Sequence, residues 1–189
     1  RELDAAREDD PGRRVVAVDL GTGSGAIALS IAAERPRVGV WATDLSHSAL
    51  DVASANLAGL GGFPATRVQL AQGSWWAALP DDLRGKVDLV VSNPPYVSAG
   101  EMASLDPVVR DWEPARALEA GSTGLEALED ILADATEWLT PGGAAVIEIS
   151  PQQADTAAAI ARKYGFADVR VEPDLAGRDR VLVARLVSR

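Results

Sequence analysis

The sequence contains no cysteine and only one histidine among its 189 residues. Disulfide bonds and thiolate metal sites are therefore excluded, and we predict no bound metal. No apolar run is long enough to cross a bilayer, and no signal-peptide pattern opens the chain, so we expect no membrane partner and a cytoplasmic location. Basic residues are also scarce, since 18 Lys and Arg stand against 28 Asp and Glu. The net charge of −10 argues against duplex DNA as a partner, because DNA-binding faces are basic.

The length is sufficient for one domain with a sizeable core, and 47% hydrophobic residues with 24% charged residues are typical of a globular protein. The chain begins with Arg1 rather than methionine, so we expect it to be part of a longer protein. Residues 1–14 are charged and end in a turn, which indicates the tail of an upstream helix or a linker. We assign residues 15–189 to a single domain.

The most informative stretch is Val87–Ser92 followed by Asn93-Pro94-Pro95-Tyr96. A short Val/Leu run bounded by turn residues predicts a buried strand. The strand must end at the prolines, which lack an N–H, and Asn93 is held extended because it precedes a proline. We call residues 93–96 the hook, and we expect it at the carboxyl end of a core strand, where open α/β sheets bind ligands.

A glycine loop, Gly21-Thr22-Gly23-Ser24-Gly25, follows the predicted strand Val15–Leu20 and precedes a predicted helix over 26–33. Glycines let the backbone approach a ligand closely, and the start of a helix offers free N–H groups. The third glycine comes one residue earlier than in the dinucleotide fingerprint G-x-G-x-x-G. This spacing resembles methyltransferases that bind S-adenosylmethionine more than dehydrogenases. A glycine-rich turn without a ligand remains the alternative.

Two further positions are candidates for cofactor contacts. Asp44 ends the second predicted strand, Val38–Thr43, about 20 residues past the glycines, where a carboxylate suits the two hydroxyls of a ribose. Capping of the next helix is its alternative role. Trp75 follows the third predicted strand, Arg67–Ala71, and its indole is our candidate for packing on adenine. The alternative is that Trp75 and Trp76 pack together under a loop.

The remaining pattern predicts the fold class. Residues 97–118 form a long connection, which in a compact domain is functional or mobile. A fifth strand is predicted over Ala144–Ile149, and the last two, near residues 169–172 and 181–187, are joined too closely for a crossover helix and are therefore antiparallel. Strands alternating with helices predict an α/β fold with a doubly wound, mostly parallel seven-stranded sheet and a terminal antiparallel strand.

This arrangement resembles the Rossmann-like class I methyltransferases, and the motifs narrow the resemblance. Over residues 15–189 the chain is similar to the release-factor glutamine methyltransferases of the HemK/PrmC type. The segments that carry the similarity are Asp19–Ala28, Asp44, Ser92–Tyr96, Glu113-Pro114 before Ala117-Leu118, and the ending Asp174-Leu175-Ala176-Gly177-Arg178-Asp179-Arg180.

The resemblance implies methylation of the glutamine side-chain amide in the Gly-Gly-Gln loop of class 1 peptide chain release factors. It also implies that Gly21–Gly25, Asp44, Trp75 and Asn93 hold S-adenosylmethionine. Asn93, Pro94, Pro95 and Tyr96 would hold the glutamine, and Asn93, Pro94 and Tyr96 would act in catalysis. An amide nitrogen is a poor nucleophile, and the Asn93 side-chain oxygen and the Pro94 carbonyl are candidate acceptors for its two N–H groups.

The chain departs from the family pattern at two places. Members of the family that the chain resembles carry an N-terminal helical domain and an Arg-Pro-Glu stretch ahead of the first strand, and neither is found in residues 1–14. We expect the helical domain to dock the release factor and to be missing from this chain. Ser74 stands where an acidic residue is common. Three other functions stay open, namely a ribosomal-protein glutamine methyltransferase, a nucleic-acid amino-group methyltransferase, and a module that binds S-adenosylmethionine without catalysis.

Overall fold

The computed structural model describes residues 2–3, 14–102 and 115–187. Its centre is one seven-stranded sheet in the order β3-β2-β1-β4-β5-β7-β6. The strands are β1 (Val15–Leu20), β2 (Val38–Asp44), β3 (Val68–Gln72), β4 (Val87–Ser92), β5 (Leu139–Glu148), β6 (Asp168–Pro173) and β7 (Asp179–Arg185). Strands β1 to β5 pair in parallel, whereas β7 pairs antiparallel with both β5 and β6. The predicted fold class and the antiparallel ending are confirmed.

The helices pack on both faces of this sheet. They are α1 (Ala26–Glu34), α2 (His47–Leu60), α3 (Gly62–Ala65), α4 (Ala115–Leu118), α5 (Glu126–Trp138) and α6 (Ala154–Lys163). One apolar cluster joins the sheet to α1 and α2, and a larger one joins the opposite face to α5 and α6. None of the helices among the described residues has the length and apolar character that a membrane crossing requires.

The order of the strands indicates at which edge of the sheet a ligand would bind. Strand β1 lies between β2 and β4, so the chain leaves β1 towards one side and later returns to its other side. The connections after β1 and β4 therefore diverge, which opens a crevice at the carboxyl ends of these two strands. The glycine loop follows β1 and the hook follows β4, so both lie at this crevice.

Strand β5 begins earlier than the sequence pattern predicts. It starts at Leu139, directly after α5, and includes Pro141 and Gly142. Leu139 pairs with Val87, and the next pair, Ala144 with Leu89, follows only after a shift of register. The residues of β5 between Leu139 and Ala144 outnumber those of β4 between Val87 and Leu89, so the regular pairing is interrupted there. Pro141 lies in this interruption, where its missing N–H costs no hydrogen bond between strands.

Two described residues near the start of the chain contact the rest of the domain. Leu3 is buried in the same cluster as α1, and Glu2 forms ion pairs with Arg170 of β6 and Arg185 of β7. Glu2 and Leu3 are helical, and the assignment of residues 1–14 to a helix tail or a linker stays a prediction. Residues 4–13 lie outside the described part.

Candidate active site

The glycine loop has the backbone conformation that its sequence predicts. Gly21, Gly23 and Gly25 have φ of 71°, 56° and 82°, values that disfavour a side chain. A Cβ added to Gly23 would meet no atom within 4 Å, so the outer surface of the loop is open at this residue. Gly25 is the N-cap of α1 and has no side chain that could accept from the first-turn N–H groups. The loop therefore leaves backbone N–H groups of a helix start accessible to a ligand.

The side chain of Thr22 points into the protein rather than towards the open side of the loop. Its hydroxyl donates to Asp19 Oδ2 at 2.6 Å, and its backbone N–H donates to the Thr43 carbonyl at 2.8 Å. The carbonyl of Ser24 accepts from Asn56 Nδ2 of α2 at 2.9 Å. Thr22 is one of the residues predicted to hold the cofactor. The side-chain contact with Asp19 instead fixes the conformation of the glycine loop.

Asp19 is a buried carboxylate directly beneath the loop, and it was not among the predicted site residues. Its Oδ2 accepts from the Thr22 hydroxyl and from the Ala28 N–H at 3.1 Å, while Oδ1 is buried without a partner. Burial raises the pKa of Asp19 from its usual 3.8 to about 6, although the two hydrogen bonds oppose the rise. The available signal was a charged residue in an otherwise apolar strand, two positions before the first glycine.

Asp44 joins the end of β2 to the glycine loop. Its Oδ2 accepts from the Gly23 N–H at 2.9 Å and its Oδ1 accepts from the Ser46 N–H at 2.8 Å. Ser46, not Asp44, is the N-cap of α2, since its hydroxyl accepts from the Ala49 N–H at 3.3 Å. The capping role that competed for Asp44 therefore belongs to Ser46. Each carboxylate oxygen of Asp44 can accept a further hydrogen bond.

The two tryptophans after β3 have different environments. Trp76 is buried, stacks on Trp138 with ring centres 5.6 Å apart, and donates to the Ile131 carbonyl at 2.9 Å. Trp75 is half-buried, and a Cβ added to Gly21 would lie 3.4 Å from its ring. Trp75 also has a φ of 43°, the one positive value at a non-glycine residue in the described part of the chain. Packing under the loop is thus the role of Trp76, and Trp75 borders the glycine loop.

The hook is attached to the end of β1. The Ser92 hydroxyl donates to the Leu20 carbonyl at 2.6 Å, and the same two residues pair in the sheet register. The next residues, Asn93 and Gly21, therefore leave adjacent strand ends. Asn93 is exposed, and its side chain makes no hydrogen bond to the residues that the structure describes, whereas Pro94 is buried. The hook thus places the Asn93 side-chain amide, which has no hydrogen-bond partner among the described residues, beside the glycine loop.

Tyr96 is held by three residues from the far end of the chain. Its hydroxyl lies 3.5 Å from Glu148 Oε1, a long contact, and the Arg180 guanidinium lies 5.7 Å from its ring centre. Its carbonyl accepts from Gln153 Nε2 at 3.1 Å. Sequence reasoning assigned no role to Glu148 or Gln153, because each is an isolated polar residue whose neighbours only the fold provides.

The ending Asp174–Arg180 is an ordered hairpin at the same edge of the sheet. The Asp174 carboxylate accepts from the backbone N–H groups of Ala176 and Arg178 and from the Arg178 guanidinium. These bonds, first the one from the Arg178 backbone, hold the pKa of Asp174 below its ordinary value. Leu175 is fully exposed at the tip, and Arg180 reaches Tyr96. The Asp174–Arg180 segment therefore contacts the hook through Arg180 and Tyr96.

The long connection after the hook is described only at its two ends. Residues 103–114, which include Glu113-Pro114 of the motif, lie outside the described part, and Ala117-Leu118 belong to α4. Val97 donates its N–H to the Leu118 carbonyl and accepts from the Ala120 N–H, both at 2.9 Å. The two ends of the connection are therefore hydrogen-bonded to each other at Val97, the residue that follows Tyr96.

Comparison with known proteins identifies the family of this fold and site. The model of the methyltransferase small domain matches residues 5–110, more than half of the chain. This chain belongs to that family. The family match includes the glycine loop, Asp44 and the hook, which the structure brings to one edge of the sheet.

Curated relatives extend the similarity to nearly the whole chain. The chain is 48% identical to the release factor glutamine methyltransferase of Cereibacter sphaeroides, over 89% of this chain and 59% of that protein. For the enzymes of the same name from Gloeobacter violaceus and Streptomyces coelicolor, identity is 43% and 41%, over 94% and 97% of this chain and 60% and 63% of theirs. The resemblance seen in the motifs is confirmed by these names. The chain spans about three fifths of the length of these relatives.

Solved structures support the fold. A methyltransferase from Pyrococcus furiosus aligns with a TM-score of 0.66 at 18% identity, covering 98% of this chain and 83% of that one. The glycopeptide N-methyltransferase MtfA aligns with a TM-score of 0.62 at 19% identity, covering 98% and 96%. At this level of identity the likeness concerns the fold alone.

Proposed function

We propose that this chain transfers a methyl group from S-adenosylmethionine to the side-chain amide nitrogen of a protein glutamine, in the Gly-Gly-Gln loop of class 1 peptide chain release factors. One observation carries the proposal: the pairing of Leu20 with Ser92 brings the glycine loop and the Asn-Pro-Pro-Tyr hook to adjacent strand ends. The names of the curated relatives support the same substrate.

The residues present fit S-adenosylmethionine. The open, left-handed Gly23 offers close approach to the backbone, and Asp44 has acceptor capacity left for ribose hydroxyls. Trp75, beside Gly21, offers an aromatic face for adenine. The cofactor supplies an electrophilic methyl group on a positively charged sulfur. The backbone of the loop, Asp44, Trp75 and Asn93 are the residues that would hold it.

The hook provides groups that suit an amide substrate. Asn93 Oδ1 and the Pro94 carbonyl make no hydrogen bonds within the described part of the chain, so both can accept from the two N–H groups of a glutamine amide. These acceptors orient the nitrogen and stabilise the positive charge that develops on it. Pro95 and Tyr96 offer apolar surface for the glutamine stem. The nitrogen gains the methyl carbon and releases a proton to solvent, so no general base is required of the protein.

The experiment is to incubate a purified release factor with this protein and S-adenosylmethionine and to locate the methyl group by peptide mass spectrometry. We expect one methyl group on the glutamine of the Gly-Gly-Gln loop. A release factor with that glutamine replaced by alanine is the control and should remain unmodified. Methylation of a ribosomal protein instead would support the alternative substrate, and methylation of a nucleic acid would contradict the proposal.

Asp44→Asn tests the cofactor site. If the Asp44 carboxylate accepts from the ribose, losing its charge weakens cofactor binding roughly tenfold or more, since one charge-assisted hydrogen bond contributes about 1.5–3 kcal/mol. Calorimetric titration with S-adenosylmethionine measures this. Ser46→Ala is the matched control, because it removes the real cap of α2 and should lower the free energy of unfolding by roughly 1 kcal/mol without changing affinity. Wild-type affinity in Asp44→Asn would rule out the ribose contact.

We further propose that binding of the whole release factor uses a region of the relatives that lies outside the three fifths of their length matched by this chain. Supplying that region in the same polypeptide should then lower KM for the intact release factor while leaving KM for a short Gly-Gly-Gln peptide unchanged. Steady-state kinetics with both substrates makes the comparison. Equal KM values for the intact factor would show that the sheet domain recognises it alone.

A translation factor as substrate favours action in the cytoplasm. The net charge of −10 also disfavours duplex DNA as a competing partner, because like charges repel. We therefore expect no retardation of a DNA duplex by this protein in a gel-shift experiment at low salt.

A further inference from the structure

Gln153 connects two segments that are far from it in the sequence. It lies in the short 3₁₀ helix Pro151–Gln153 that follows β5. Its Nε2 donates to the Tyr96 carbonyl at 3.1 Å and to the Gly124 carbonyl at 2.9 Å. The first acceptor belongs to the hook, and the second belongs to the loop that leads into α5.

The amide of Gln153 is fully used, and its orientation is determined. Its Oε1 accepts from the Ser150 N–H at 3.0 Å, so the oxygen points to a donor and the nitrogen points to two carbonyls. A flipped amide would place its oxygen against both carbonyls and its nitrogen against an N–H. Both N–H donors of the side chain are therefore committed to holding backbone in place.

The two segments also contact each other directly. Gly124 has a φ of 77°, and a Cβ added there would lie 2.6 Å from the Tyr96 carbonyl oxygen and 2.9 Å from Gln153 Nε2. Just beyond, the Ala99 N–H donates to the Gly121 carbonyl at 2.8 Å. Glycine at position 124 thus permits the close approach that Gln153 bridges.

We propose that Gln153 is a positioning residue for methyl transfer. It holds the Tyr96 end of the hook as the Ser92 hydroxyl holds the other end on the Leu20 carbonyl. Between these two points only Asn93, Pro94 and Pro95 remain, and the ring of each proline restricts φ. With both ends held, the Asn93 side chain and the Pro94 carbonyl keep one position relative to the glycine loop. This inference rests on the proposed function.

The consequence concerns the rate of transfer rather than cofactor binding. The glycine loop joins β1 to α1 and Asp44 ends β2, and the hydrogen bonds of Gln153 among the described residues go to Tyr96, Gly124 and Ser150 instead. Without the Gln153 hydrogen bond, the Tyr96 carbonyl loses its side-chain donor, and the acceptors for the glutamine amide can shift although the contacts of Tyr96 with Glu148 and Arg180 remain. A displacement of about 1 Å can lower a rate roughly 100-fold. Cofactor affinity should therefore be kept while transfer slows.

The test compares Gln153→Met with Gln152→Met. Methionine has a similar length and no donor, and Gln152 is the exposed neighbour in the same 3₁₀ helix. With saturating cofactor and a Gly-Gly-Gln peptide, we expect kcat to fall roughly 10- to 100-fold in Gln153→Met and to stay near wild type in Gln152→Met. The cofactor dissociation constant should match wild type in both. Gln153→Glu, which keeps the acceptor for Ser150 but loses the donors, should also be slow, whereas Gln152→Glu should not.

Hydrogen exchange provides a second measurement that needs no activity. If Gln153 holds the hook, the backbone amides of Val97 and Ala99 exchange faster in Gln153→Met than in Gln152→Met, at temperatures where thermal unfolding shows both variants folded. Equal kcat and equal exchange in the two variants would overturn the inference. Absence of glutamine methylation by the wild type would instead contradict the proposed function, and exchange alone would then decide on Gln153.

Discussion

Replacing Asn93 with alanine should lower the rate of methyl transfer to glutamine by roughly 100-fold or more. This is the scale for removing one preorganised polar group from a site where charge develops. The side chain is exposed and makes no hydrogen bond within the described residues, so its removal leaves the strand end and both prolines intact. Single-turnover rates with saturating peptide and cofactor measure the effect separately from binding.

The controls for this prediction separate catalysis from folding and from cofactor binding. Thermal unfolding of Asn93→Ala should match wild type, and the dissociation constant for S-adenosylmethionine should change far less than the rate. Asn93→Asp keeps an acceptor and adds a negative charge, so we expect it to retain more activity than Asn93→Ala. Equal rates for wild type and Asn93→Ala would show that Asn93 only ends the strand and would refute the mechanism.

Asp19→Asn should remove a pH dependence of stability that wild type shows between about pH 4 and pH 6. The pKa of Asp19 is raised by burial from 3.8 in the unfolded chain to about 6 in the folded protein. Between these values the folded state binds more protons than the unfolded state, so the free energy of unfolding falls as pH rises. The stabilisation that the protonated Asp19 carboxyl gives to the folded state is fully present well below pH 3.8 and is lost as the pH rises through about 6.

The size of the effect follows from the shift. One pKa unit corresponds to 1.36 kcal/mol, so the full shift is worth about 3 kcal/mol. Because Asp19 is already about half ionised at pH 4 in the unfolded chain, the stability of wild type relative to Asp19→Asn should decrease by about 2 kcal/mol between pH 4 and pH 7. Asparagine can still accept from Thr22 and Ala28 through its oxygen, and it carries no charge to bury. Urea unfolding at several pH values gives the difference, in which groups common to both proteins cancel.

Asp134→Asn is the control for loss of a carboxylate, because Asp134 lies on the exposed side of α5. Its stability difference from wild type should not show the change of about 2 kcal/mol that burial predicts for Asp19 between pH 4 and pH 7. A constant difference between wild type and Asp19→Asn from pH 4 to pH 7 would show that the Asp19 carboxyl has an ordinary pKa in the folded protein.

Several site assignments needed the tertiary structure because two roles were open for one residue type. Asp44 and Ser46 are both good capping residues, and only the observed bonds give the cap to Ser46 and leave Asp44 on the glycine loop. Trp75 and Trp76 are adjacent and identical in type, yet one borders Gly21 and the other fills the core. Local sequence cannot distinguish such neighbours, since the difference lies in what packs against them.

Local sequence patterns predict the sheet, its antiparallel ending, the glycine loop and the hook. Those features depend on local chemistry: apolar runs make buried strands, glycine permits left-handed backbone, and proline ends a strand. Which distant polar groups meet depends instead on how the strands are ordered and paired. Gln153 reaches Tyr96 across 57 residues and Ser92 reaches Leu20 across 72, while Pro141 lies within β5 because the register with β4 shifts there. Such contacts follow from strand order and register, which bring together residues that no local pattern connects.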